Sequence, residues 1–158
     1  VAGAIGTLSA VALGPDPARG VTPVPRAEGW QAVPAPGSTP PAQLRRIAAA
    51  GTELAWAVGE EQLGGAGGAR ALAMVWDGGG WSKADVSPLE LTRLSDVAGV
   101  GAHAAWSVGQ RAGGGSALLR WNGTTWGEVA FPGQGEPDLR LSAVAVGRGG
   151  QVSVSYTH

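Results

Sequence analysis

Glu60 and Glu61 form the only adjacent carboxylate pair in the chain. Two carboxyls can share general acid and general base work when a pocket gives them different environments. This pair follows an apolar run and precedes a Gly-rich loop, a place that suits solvated side chains. His103, in Gly101-Ala102-His103, could act as a base or metal ligand, but only with partners, and the other His is His158. It reads as a solvated turn residue. Asp77 and Asn122 offer the oxygen that calcium prefers, yet no second carboxylate lies at a calcium-loop spacing, and both read as turn formers. The runs Gly64 to Ala69 and Ala112 to Ser116 lack the Lys and the following helix of a phosphate loop, and read as hairpin connections. Asn122-Gly123-Thr124 fits the glycosylation acceptor pattern by coincidence. No catalytic residue, metal ligand or cofactor site emerges from these groups. The seven Trp remain. An exposed Trp can stack on a sugar ring or anchor a protein partner. Trp30 and Trp126, each at the start of an outer strand, are the candidates for ligand binding; the repeated positions of the Trp set favour packing.

Those Trp sit in a repeat. The hexamers Trp76-Asp-Gly-Gly-Gly-Trp81 and Trp121-Asn-Gly-Thr-Thr-Trp126 share one pattern. Upstream of each lies a Trp-x-Val-Gly run, Trp56 to Gly59 and Trp106 to Gly109, and before that a Leu-x-x-[Val/Ile]-Ala run. That last run starts at Leu8, Leu44, Leu94 and Leu141. Periods of about 40–50 residues point to propellers or arrays. Each full unit holds four short apolar, β-branched or aromatic runs, separated by Gly-rich turns, with no sustained helical period. The expected fold is all-β, with four antiparallel strands per unit. Asp77-Gly78 and Asn122-Gly123 then sit at a tight turn between third and fourth strands, because these pairs adopt positive φ cheaply. The flanking Trp anchor that turn against a neighbouring unit. The units are 1–43 (partial, Pro-rich), 44–91, 94–138 and 141–158 (two strands), together one domain.

Composition narrows the function classes. Charged residues make up 15% and the formal charge is −1, so neither a nucleic-acid footprint nor a polybasic membrane patch is present. No Cys means no disulfide, thiolate zinc site or Cys nucleophile. Gly 28 and Pro 11 approach disordered levels, but the Trp content argues for turns and short strands instead. The first residue is Val, so the chain reads as processed, as a fragment, or as lacking its start. Residues 1–14 read equally as the remnant of a signal peptide or as a strand of the repeat, and are too short to span a bilayer.

The pattern W-x-V-G, a Gly-rich stretch, W-[DN]-G-x-x-W and a Pro-containing linker to L-x-x-V-A resembles a β-propeller repeat frequent in secreted proteins of actinobacteria and myxobacteria. The resemblance covers roughly residues 30–145. The hexamer is also weakly similar to the Asp-box of sialidase-like propellers, S-x-D-x-G-x-T-W. Here the spacing from Asp77 to Trp81 is one residue short and Asn122 replaces Asp. The first resemblance implies four-stranded blades, about three to three and a half of them, too few for a closed ring. It also implies a secreted or cell-surface location.

The units at the two ends lack complementary strands, so the chain is expected to be part of a longer protein or to be completed by a second copy. The function expected is that of a non-catalytic binding or scaffold module for a protein or glycan partner, without nucleic acid. Two alternatives stand beside it: a fragment or subunit of a propeller hydrolase whose site is completed by other sequence, and a structural subunit of a surface layer or large assembly.

Overall fold

A computed structural model describes residues 10–12, 32–34, 36–37, 41–64, 67–101 and 103–157. Among them the protein is all-β, with a single 3₁₀ turn at Ser87–Leu89. The strands are β1 (Ala10–Ala12), β2 (Ala32–Pro34), β3 (Ala42–Ala49), β4 (Ala55–Gln62), β5 (Ala69–Trp76) and β6 (Trp81–Ala84). There follow β7 (Leu91–Gly99), β8 (Ala105–Arg111), β9 (Ser116–Trp121), β10 (Trp126–Val129), β11 (Arg140–Val146) and β12 (Val152–Thr157). Strands β3 to β6 make one four-stranded antiparallel sheet in sequence order, and β7 to β10 a second. Strands β11 and β12 form a two-stranded antiparallel sheet. The short strands β1 and β2 pair in parallel, unlike the rest. No helix among the described residues is long and apolar enough to cross a membrane.

Register makes the sheets comparable residue by residue. Ala55 pairs with Trp76 and Ala105 with Trp121, while Trp76 pairs with Trp81 and Trp121 with Trp126. In the first strands, Ala48 pairs with Trp56, Ala98 with Trp106 and Ala145 with Ser153. The first strand of each antiparallel sheet carries a register shift just after its Leu, at Leu44/Arg46, Leu94/Asp96 and Leu141/Ala143. A bulge of this kind bends the strand and raises its local twist. It also explains the glycine of Trp-x-Val-Gly. Gly59 pairs with Leu44 beside the bulge, and a Cβ there would overlap the Gln43 carbonyl oxygen. A Cβ on Gly109 would be crowded more mildly, 2.9 Å from Leu94 Cδ2 and 3.0 Å from Arg93 O.

The sheets stack by one repeated step. Strand β7 packs on β3, β4 and β5, and β11 packs on β7, β8 and β9. Strands alternate their side chains between two faces, so each inner sheet buries both. Trp56, Val58, Ala71 and Ala73 on the forward face of the first sheet meet Leu94, Val97, Trp121 and Trp126 of the second. On its backward face the first sheet gathers Ala57, Leu72, Met74 and Trp81. The second sheet turns Val108 and Leu118 forward onto Leu141 and Val144 of the third, with Trp106 packed beside them. Residues 55–59 of β4 and 71–74 of β5, interior and covered on both sides, are accordingly continuous apolar runs.

Polar contacts stitch the second seam. Ser116 Oγ, buried, donates to Leu139 O (3.1 Å) and accepts from the Leu141 amide (2.8 Å). Asp96 accepts from the Val144 amide at 2.9 Å and also faces Arg46 of the first sheet at 3.6 Å. The third sheet differs on its forward face. Where the second sheet has Trp106 and Val108, the register of β12 places Ser153 and Ser155, both exposed.

Candidate functional site

Both hexamers form the connection between third and fourth strands, as expected of them. The connecting loops have four residues, 77–80 and 122–125. The side chain of their first residue organises them. Asp77 Oδ1 accepts from the amides of Gly79 and Gly80, each at 3.0 Å, and Asn122 Oδ1 from those of Thr124 and Thr125, each at 2.9 Å. This is an Asx turn, in which the side chain takes the place of a backbone acceptor. Gly78 and Gly123 supply the positive φ, +89° and +106°. A Cβ on either would strike the residue below, Glu53 for Gly78 and His103 for Gly123. The flanking indoles lie against each other, with centroids 5.9 Å apart for Trp76–Trp81 and 5.5 Å for Trp121–Trp126.

The Gly79 amide, first, and the Gly80 amide hold the Asp77 carboxyl below its ordinary value of 3.8. A depressed carboxyl contributes stability that is present above the unfolded value and is lost as pH falls through the folded one. Asp77→Asn keeps both acceptor bonds, as Asn122 shows, and removes the titration. Thermal denaturation from about pH 5 down to about pH 2 is therefore expected to show a shallower decline for Asp77→Asn than for the parent. Parallel curves would refute this account of the turn.

The two adjacent carboxylates have a different setting from the loop expected of them. Glu60 and Glu61 lie within β4, and Glu61 is 0% exposed. Its Oε1 accepts from Arg70 Nε (3.1 Å), Arg70 Nη2 (2.5 Å) and Lys83 Nζ (2.6 Å). Glu60 points the other way and takes Arg45 at 2.7 Å. At the matching place in the second sheet the polarity is reversed, with Arg111 Nη2 on Glu128 Oε2 at 2.6 Å. Geometry of this kind locks neighbouring strands; it does not separate two carboxyls into acid and base. Glu61→Gln keeps the shape and loses the charge, an expected cost of about 1.5–3 kcal/mol in urea denaturation. An unchanged midpoint would mean that the cluster is not coupled to folding. The signal for this cluster was in the pattern: Glu61 shares a face with Ala55 and Ala57, the backward, buried one.

His103 is exposed and lies below the Asn122-Gly123 turn. Among the described residues no group of His, Asp and Glu is placed to hold a metal ion. Trp126 is 5% exposed and packs at the first seam with Trp121. Trp30 lies outside the described residues.

A site that sequence reasoning did not single out lies on the forward face of the second sheet. There Arg120 sits over the Trp106 ring, 5.7 Å from its centroid. Beside it opens a concavity of about 320 Å³ lined by His103, Arg120, Asn122, Gly127, Glu128 and Val129. Trp56, the counterpart of Trp106, is 0% exposed, whereas Trp106 is only half-buried. The difference is one of cover. Trp121 and Trp126 share the core that encloses Trp56, and Val75 and Ala84, counterparts of Arg120 and Val129, pack against it. Among the described residues the third sheet has two strands and brings no third or fourth strand over β9 and β10. Compared with known proteins, the chain matches no family model and no curated protein.

Proposed function

We propose that this protein is a non-catalytic interaction or scaffold module built from propeller-type blades. Its sheets are successive blades of an incomplete ring. One observation carries the reading: the same packing step takes the first sheet to the second and the second to the third. The first strand of each later sheet packs on the first strand of the one before it, β7 on β3 and β11 on β7, as blades around an axis would. Sheets that repeat one packing step in this way build a ring or an arc.

In this reading the large aromatics hold blades together, and the module serves by presenting surface to a protein or glycan partner at a secreted or cell-surface location. Strands supplied by a second copy complete the ring. Light scattering after size exclusion, over rising concentration, tests that completion. The expected result is a species of two chains or more. A single-chain mass throughout would overturn completion by a second copy.

A further inference from the structure

We infer that the second hexamer is a self-modifying site, in which the Gly123 amide nitrogen closes on the Asn122 side-chain amide, with His103 as base and ammonia as leaving group. The inference is independent of the propeller reading, because every group in it belongs to the β7–β8 and β9–β10 loops of one sheet.

Closure of this kind forms a five-membered ring from atoms that the main chain already holds together, so the chain itself supplies proximity. Glycine leaves the attacking nitrogen unobstructed, having no side chain. Among the described residues no acceptor pairs with the Gly123 amide, so that nitrogen is uncommitted.

The turn supplies the rest. As the ring closes, negative charge develops on Asn122 Oδ1. That oxygen already accepts from the Thr124 and Thr125 amides, both at 2.9 Å. Two preorganised N–H donors on a developing oxyanion are the main electrostatic aid in acyl transfer. The leaving nitrogen, Asn122 Nδ2, lies 3.2 Å from Thr125 Oγ1 and donates to it at rest. Once its carbon is tetrahedral, that nitrogen carries a lone pair, and the hydroxyl can turn and donate instead. His103 stands below. Its Nδ1 is the nearest atom to the space that a Cβ on Gly123 would fill, and its Cε1 is 2.9 Å from that space. The imidazole therefore reaches the Gly123 N–H directly or through one water.

The step balances without oxidant or reductant. The bond from Gly123 N to Asn122 Cγ forms, and the amide proton passes to His103. The Cγ–Nδ2 bond breaks, and a proton from the Thr125 hydroxyl, replaced from solvent, completes the departing ammonia. One water then opens the ring. Addition at Cγ leaves Asp at 122; addition at the main-chain carbonyl leaves an isoaspartyl link.

The first hexamer has the same shape and is disarmed. Asp77 stands where the second has Asn122, and Glu53 stands where it has His103. An ionised carboxylate has no neutral leaving group, and the Gly79 amide, first, and the Gly80 amide keep Asp77 ionised. Asp77 also shows that Asp at 122 can keep both turn bonds, whereas an isoaspartyl link lengthens the main chain of the four-residue loop. Exposure of Asn122 is no matter of missing cover, since Asp77, with a complete sheet beside it, is exposed as well.

Peptide mapping by mass spectrometry follows residue 122 in the whole protein over weeks at mildly alkaline pH. The same protein unfolded in guanidinium chloride is the reference. The folded chain is expected to lose the Asn122 amide at least ~10-fold faster than the unfolded one, a modest share of what oxyanion donors and a placed base give in enzymes. His103→Ala is expected to slow the folded rate ~10-fold or more. His103 and Thr125 are both exposed, and a parent-like melting curve verifies the fold of each variant. Thr125→Val is expected to slow the reaction and Thr125→Ser to restore it, while Asp77 stays unmodified throughout. A folded rate equal to or below the unfolded rate would overturn the inference. So would a His103→Ala or Thr125→Val protein that reacts at the parent rate, or conversion of Asp77 alongside Asn122.

Discussion

Trp56→Ala is expected to lower the unfolding free energy by about 3–5 kcal/mol, the range for truncating a fully buried large aromatic. Domains of this size are stable by only about 5–15 kcal/mol, so the variant approaches the limit of folding. The indole is 0% exposed and sits where the first two sheets meet, among Val58, Leu94, Val97, Trp121 and Trp126. Its neighbours belong to two sheets held by their own hydrogen-bond ladders, and they cannot collapse into the void without breaking register. Gly99 marks how close the packing is, since a Cβ there would run into the Trp56 ring. Trp106→Ala, the same change at the next seam, is expected to cost less, because a ring that is already partly exposed gives up less buried apolar area. Urea denaturation of the two variants side by side decides the matter. Equal losses would mean that the two seams are energetically alike, and the contrast in cover would then carry no weight.

Gly59→Ala is the second large effect. No positive φ is involved, and the obstacle is steric. The Leu44/Arg46 bulge pushes the Gln43 carbonyl into the space that a Cβ would fill. A flexible side chain could swing aside, but a carbonyl within a paired strand moves only with its strand. Overpacking ordinarily costs about 1–3 kcal/mol, and Gly59→Ala is expected at or above the top of that range. Gly109→Ala, whose nearest atoms are a Leu94 methyl at 2.9 Å and Arg93 O at 3.0 Å, should fall lower within it. Chemical denaturation of both variants tests the order. A Gly59→Ala protein as stable as its parent would show that β3 and β4 can slide, contrary to the register described.

The all-β class and the order of strands were legible because periodicity and punctuation agree. Leu-x-x-Val-Ala, Trp-x-Val-Gly and the hexamer fall on first, second and third-to-fourth strands in both four-stranded sheets. The Gly-rich runs fall between second and third strands, as connections. What failed was local chemistry that depends on partners distant in sequence. Asp-Gly signalled the turn and its positive φ, but not that the Asp side chain captures two later amides. Glu61 looked like a loop carboxylate because its cations, Arg70 and Lys83, come from two other strands, and only register brings them to it. Trp106 could not be told from Trp56 by sequence, since both occupy the same motif and differ only in what the next sheet lays over them.

The two serines on the forward face of β12 bear on how copies of such a chain could add to one another. A unit that stacks head to tail by one operation is a monomer in the polymer sense, and where the operation does not close, the product is a filament. Propagation needs a receptive flank at the growing end. In the first two sheets that flank is indole and valine, Trp56 with Val58 and Trp106 with Val108. Ser153 and Ser155 turn it into a hydroxylated surface. A neighbour laid against this face would be held by hydrogen bonds and bridging water instead of an apolar seam, so that joint would be the one most open to exchange.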